Sequence, residues 1–155
     1  MTKTIHPIAG GIALLTILSF WLSTVLSELF AGPALIATVK TLIPWGFFIL
    51  IPALMAVGGS GFQMGKKMRG PLIAAKQKRM PFIAANGILI LIPSALYLSF
   101  KAQAGAFDTA FYTVQVIELI AGAVNIGLLS LNMRDGLRMT GKLRRSAQLE
   151  AQPKR

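Results

Sequence analysis

Polar residues that could bind a proton or a ligand recur, with one glycine among them, along the last apolar stretch of the sequence. They are Gln115, Glu118, Gly122, Asn125 and Asn132, at spacings of three, four, three and seven residues. An α-helix turns by about 100° per residue, so these residues would fall on one face, within an arc of roughly 100°. The pattern predicts a helix with a polar seam.

Glu118 is the residue of this seam with the widest range of possible chemical roles. It lies about two helical turns into the stretch, where an ionised carboxylate facing lipid would cost several kcal/mol. Such an acid can relay protons, bind a cation or hydrogen-bond a lipid headgroup. Alternatively, a protonated Glu118 only joins two helices through hydrogen bonds. No basic residue lies within a predicted span to pair with Glu118, which favours a neutral acid.

The preceding apolar stretch adds two side chains to this interpretation. Asn86 and Tyr97 are polar groups in a mostly apolar sequence. We therefore predict one ligand or proton site that contains Glu118, Gln115, Asn125, Asn86 and Tyr97.

His6 is the only histidine and stands at the entry of the first apolar stretch. A histidine at such a position could be a metal ligand, with haem b as the candidate cofactor. Haem b in a helical bundle usually takes two axial imidazoles, so a methionine or His6 of a second subunit would have to complete the site. An electron-transfer protein that binds haem b or a quinone is therefore one hypothesis. The other is that His6 only starts a helix at headgroup level.

Four apolar stretches must position these residues. The chain is 54% hydrophobic and 14% charged, whereas an ordinary soluble domain has about 25% charged residues. Residues 7–30, 42–58, 81–100 and 110–133 reach or approach the roughly 20 residues that span a bilayer as a helix. Their hydrophobicity is continuous and does not alternate, which excludes a β-barrel. The sequence predicts an all-α membrane protein, an antiparallel bundle of four transmembrane helices.

The distribution of positive charge predicts the orientation of this bundle. Of 16 basic residues, six lie in residues 66–79, seven lie in residues 134–155, and Lys3 precedes the first span. Only Lys40 and Lys101 would lie on the other side. Positive residues in short loops stay in the cytoplasm, so we expect both termini to be cytoplasmic. A multi-pass protein of a bacterial-type inner (plasma) membrane is the corresponding localisation.

The remaining segments are predicted to be short. Residues 1–145 would form the transmembrane domain, and residues 146–155 a flexible basic tail. Residues 32–41 are mostly apolar but too short to span, which favours a brief interfacial helix, with a re-entrant loop as the alternative. Glu28 is expected to be an exposed, solvated carboxylate at the outer end of the first span.

The function classes follow from what the sequence contains. No catalytic, zinc, Walker or dinucleotide-binding motif occurs, which favours a non-enzymatic protein. The aromatic residues lie mostly inside the spans and not among the cations, so nucleic acid is not an expected partner. Expected partners are the lipid bilayer and anionic headgroups at the basic loop. We expect a homo-oligomer or a subunit of a larger membrane complex, with a proton-linked or cation-linked small transporter as the alternative.

Overall fold

The chain folds as a series of long helices. The computed structural model describes residues 2–67 and 71–139, with side chains for residues 4–63 and 73–138, and no strand occurs in these ranges. The elements are α1 (Thr2–Phe30), α2 (Pro33–Lys67), α3 (Pro71–Asn86), a π-helical turn (Gly87–Leu91), α4 (Ile92–Gln103) and α5 (Thr109–Met139). The predicted tail, residues 146–155, lies outside the described residues.

Four stretches of helix are long and apolar enough to cross a membrane. They are Thr4–Phe30, Pro33–Gln63, Ile73–Gln103 and Thr109–Arg138. Their 27 to 31 residues correspond to roughly 40 to 47 Å of helix, against about 30 Å of hydrocarbon. Large apolar side chains are exposed along all four, as lipid-facing surface requires. The predicted number of helices able to span a membrane is confirmed.

The second span begins earlier than the sequence predicted. Residues 32–41 are neither an interfacial helix nor a re-entrant loop, because α2 starts at Pro33 and continues without a break. Proline suits a first helical position, where its missing N–H has no intrahelical partner. The hydroxyls of Thr38 and Thr41 donate to carbonyls four residues back, which satisfies these polar groups within the helix. Lys40 therefore lies inside the second span.

The third span contains a π-helical turn between α3 and α4. There, the backbone N–H of Ile92 donates to the carbonyl of Gly87, five residues back. Pro93 follows directly, has no N–H, and its ring would crowd the carbonyl of Leu89 in a regular α-helix. The wider turn accommodates this proline.

Two glycines allow α1 to pack closely against its neighbours. A Cβ on Gly46 would overlap the ring of Phe20, and one on Gly122 would lie 2.9 Å from Trp21 Cδ1. The indole Nε1 of Trp21 also donates to the carbonyl of Leu119 at 2.9 Å. These contacts hold α1 between α2 and α5.

Two apolar clusters form the core. The first, here called the central layer, consists of buried side chains from α1, α2, α3 and α5: Ala13, Ile17, Leu50, Ala53, Ile83 and Leu129. The second lies near the α1–α2 and α4–α5 connections and contains Ile36, Leu98, Ala102 and Phe111. We call the end of the bundle with these connections the loop end, and the opposite end the basic end. Buried polar side chains lie on both sides of the central layer.

Candidate functional site

A buried ion pair joins α2 to α5 on the loop-end side of the central layer. The ammonium Nζ of Lys40 lies 2.6 Å from Glu118 Oε2, and the two side chains are 1% and 12% exposed. The prediction that Glu118 has no basic partner is wrong. It depended on placing Lys40 in a connection, whereas the early start of α2 brings Lys40 into the span.

A second carboxylate from α1 completes this cluster. Lys40 Nζ donates to Thr24 Oγ1 at 3.4 Å, and Glu28 is close enough to interact electrostatically with both Lys40 and Glu118. The Glu28 side chain is only partly exposed, and its Oε1 is buried with no hydrogen-bond partner in the part of the chain that the structure describes. The expectation of a fully solvated Glu28 is wrong, because α2 and α5 pack beside it. A second carboxylate thus lies near the Lys40–Glu118 pair.

Gln115 lies next to this cluster with its polar atoms unused. It is 3% exposed, and neither Oε1 nor Nε2 has a hydrogen-bond partner among the described residues. Phe111, one turn earlier on α5, packs with Ile36, one turn before Lys40 on α2. Gln115 therefore lies between that apolar contact and the Lys40–Glu118 pair. The structure buries this predicted site residue beside Glu118.

Asn86 and Asn125 form a second polar position, nearer the central layer. Asn86 Nδ2 donates to the carbonyl of Ala121 at 2.8 Å. Asn125 is 1% exposed, and its Oδ1 has no partner within the described ranges. The start of the π-helical turn adjoins it, since a Cβ on Gly87 would lie 3.8 Å from Asn125 Nδ2. Asn86 of α3 thus packs against α5 near Asn125.

Tyr97 lies elsewhere. It is exposed, and its ring centroid is 6.0 Å from the Nζ of Lys101. On α4, the buried positions are Ser94, Ala95, Leu98, Ser99 and Ala102. Tyr97 therefore belongs to the outer face of α4 and not to the cluster around Glu118.

His6 makes hydrogen bonds through both ring nitrogens. The hydroxyl of Ser60 donates to the carbonyl of Ala56, so its oxygen accepts from His6 Nδ1 at 2.9 Å. His6 Nε2 then accepts from Lys76 Nζ at 2.9 Å. An iron at Nε2 would have to displace Lys76. The contacts of His6 therefore do not favour its predicted role as a haem ligand, which stays a prediction.

A further ion pair at the basic end was missed by sequence reasoning. Arg79 Nη1 lies 2.6 Å from Asp135 Oδ2, and the same guanidinium approaches Asn132 Oδ1 at 3.5 Å. Asp135 is 2% exposed. Asp135 follows Asn132 by three residues and so continues the seam of α5. This spacing is the signal in the sequence that could have identified Asp135. Its partner could not be inferred, because several cations occur in that region.

These positions differ in the chemistry that they support. The Glu28–Lys40–Glu118 cluster offers two carboxylates and one ammonium for holding a proton, and the amides of Gln115 and Asn125 offer unused hydrogen-bonding atoms. No group of three or more His, Cys, Asp or Glu residues within the described ranges is arranged to hold a metal ion. Comparison of the chain with protein-family models, curated proteins and solved structures finds no match.

Proposed function

We propose that this chain is a non-enzymatic membrane protein with a proton-binding site at the Glu28–Lys40–Glu118 cluster. The observation that supports it most is the buried ion pair of Lys40 with Glu118, with a second carboxylate, that of Glu28, near enough to interact electrostatically with both. In a medium of low dielectric constant, a net charge is costly. The cluster is neutral when Lys40 is charged and one of the two carboxyl groups carries a proton. A proton is therefore the smallest ligand that completes this site.

The depth of the cluster supports a role that involves the membrane. Glu118 follows the start of α5 by nine residues, or about 13 Å of helix. Lys40 follows the start of α2 by seven residues, or about 10 Å. If the hydrocarbon is centred on the helices, both charges lie just inside its edge, where protons exchange with water only through the protein. Buried charges at such depths usually mark proton or ion pathways.

We further propose that the four spans are antiparallel, with both termini in the cytoplasm of a bacterial-type inner membrane, as the positive-inside rule favours. The chain has no cysteine, so single cysteines can be labelled without background. Exposed Gln63 and Asp108 suit this experiment. A membrane-impermeant maleimide added outside cells should label Asp108→Cys and leave Gln63→Cys unlabelled. The reverse pattern, or labelling of both, would refute the orientation.

A homo-oligomer or a larger complex is the proposed setting. The outer face of α5 has small residues, and a Cβ added to Gly127 would meet no neighbouring atom of the described residues within 4 Å. Small residues let a neighbouring helix approach closely. This surface is consistent with a helix from a second copy or from another subunit packing there.

Infrared spectroscopy of the protein in nanodiscs tests the proton site directly. The wild-type protein should show the carbonyl band of a protonated carboxyl group, and the band should shift in D₂O. Glu118→Gln and Glu28→Gln should each remove it, because the remaining carboxylate pairs with Lys40. Lys40→Met should strengthen it, because two carboxylates without a cation need a second proton.

Asp108→Asn is the matched control, because Asp108 is an exposed carboxylate paired with Lys101 outside the cluster. It should leave the band unchanged. A band that survives in both Glu118→Gln and Glu28→Gln would refute the proton site.

A proton-linked transporter is the second candidate. It is favoured by one observation beyond the cluster, the unpartnered amides of Gln115 and Asn125 deep in the described part of the bundle.

A further inference from the structure

The buried amides of α5 have hydrogen-bonding atoms that the described protein does not satisfy. Gln115 and Asn125 are 3% and 1% exposed, and three of their side-chain atoms have no partner in the described part of the chain. Leaving buried polar atoms unpaired is costly, and proteins usually satisfy them with internal water. Internal water next to Glu118 is also what a proton needs to reach a buried carboxylate.

The polar positions along α5 follow one another at regular distances. Glu118 and Asn125 are separated by seven residues, as are Asn125 and Asn132, so each step is about 10 Å. Asp135 lies one turn beyond Asn132, at the basic end. A short chain of water molecules can bridge each step. The seam therefore extends from the Lys40–Glu118 pair towards the Arg79–Asp135 pair.

The central layer interrupts this seam. Leu129 lies on α5 between Asn125 and Asn132 and is 6% exposed, and Ile83 of α3 packs in the same cluster. The order is the same on α3, where Ile83 lies between Arg79 and Asn86. Apolar side chains exclude the water that would connect the two halves.

We propose that the seam of α5 is a gated proton path across the bundle and that the central layer around Leu129 is its gate. The inference rests on the proposed proton site at Glu118. The unsatisfied amides of Gln115 and Asn125 hold water on the loop-end side, and the Arg79–Asp135 and His6–Lys76 contacts form the polar opening on the other side. Closure by apolar side chains keeps the resting protein from dissipating a proton gradient.

Proton flux into liposomes tests the gate. Purified protein is reconstituted with a trapped pH-sensitive dye, and a potassium gradient with valinomycin drives protons. Wild-type flux should be close to that of empty liposomes. Leu129→Asn should raise it about tenfold or more, because a polar side chain lowers the barrier to water in the layer. Ile83→Asn, on α3, should raise the proton flux in the same way. It replaces Leu129→Asn in the test if that variant does not fold.

Two further variants make the result specific. Leu15→Asn places the same side chain on α1 at a similar depth, where Leu15 is exposed to lipid, and it should leave the flux at the wild-type level. Adding Asn125→Leu to Leu129→Asn should return the flux to that level, because the water site beside Glu118 is lost.

The proposal is overturned if the folded Leu129→Asn and Ile83→Asn proteins are as tight as wild type, or if Leu15→Asn leaks equally. It is also overturned if Asn125→Leu leaves the leak intact. The infrared band of the Glu118 site is measured without flux, so the two ideas fail separately. Tight Leu129→Asn and Ile83→Asn proteins, together with a wild-type protein that shows the band, refute only the gate. Leaking variants, together with a wild-type protein that lacks the band, refute the proton site.

Discussion

Removing the Lys40 ammonium should destabilise the protein more than removing the Glu118 carboxylate. At 2.6 Å and an effective dielectric constant of about 20, the Coulomb attraction of the pair is about 6 kcal/mol, and desolvation of the two ions offsets much of it. Lys40→Met leaves Glu28 and Glu118 together without a cation. Breaking a buried pair in this way typically costs about 3–5 kcal/mol. Glu118→Gln should cost less, because Glu28 stays beside Lys40.

The double variant Lys40→Met/Glu118→Gln should recover most of this loss, because only one carboxyl group is then left without a cation. We expect a coupling energy of at least about 2 kcal/mol, whereas independent sites add within roughly 0.5 kcal/mol. Lys101→Met with Asp108→Asn is the matched control. That pair is also a lysine and a carboxylate, but it is more exposed, so its coupling should be much smaller.

The free energy of unfolding can be measured by SDS titration in mixed micelles, followed by circular dichroism. In a Trp45→Phe background, Trp21 gives a local fluorescence signal as well, because its indole contacts the carbonyl of Leu119, next to Glu118. Additive effects of Lys40→Met and Glu118→Gln would show that the pair does not stabilise the fold. An equal coupling in the control pair would show that burial is not the cause.

Three further predictions address other parts of the fold. Gly46→Ala should lower the free energy of unfolding by about 1–3 kcal/mol, as overpacking does, because its Cβ would overlap the ring of Phe20. Gly127→Ala, measured in the same SDS titration, should not destabilise, since no neighbouring atom in the described ranges lies within 4 Å of the added methyl. The hydrogen bond that Lys101 donates to Asp108 lowers the pKa of the Asp108 carboxyl group. The Lys101–Asp108 pair therefore stabilises the fold at a pH above the ordinary aspartate pKa, and this stabilisation is lost as the pH falls through the lowered pKa. Thermal unfolding at a series of pH values should lose this component in Asp108→Asn, and an unchanged profile would contradict the assignment. His6→Ala should leave the visible spectrum of the purified protein unaltered while lowering stability by about 1–3 kcal/mol through unpaired polar groups; loss of a Soret band would instead establish haem ligation.

Hydropathy and helical periodicity, read from the sequence, determined the number of spanning helices and the polar face of α5. Both properties are local, because they depend on residue types within one turn or one span. Gln115, Asn125 and Asn132, which their spacing places on one face, are 3%, 1% and 6% exposed. Local composition was less informative about where a helix begins. The α2 helix begins at Pro33, earlier than predicted, and therefore includes Lys40.

Only the tertiary structure decided which of these residues meet. Lys40 and Glu118 are 78 residues apart, and nothing in either segment specifies the other as its partner. Tyr97 has a polar side chain, as the other predicted site residues do, yet the rotation of α4 turns it outward. Pairings of this kind depend on how whole helices pack against each other, through contacts such as Phe20 against Gly46, and that packing is set by the shapes of all the interacting surfaces together.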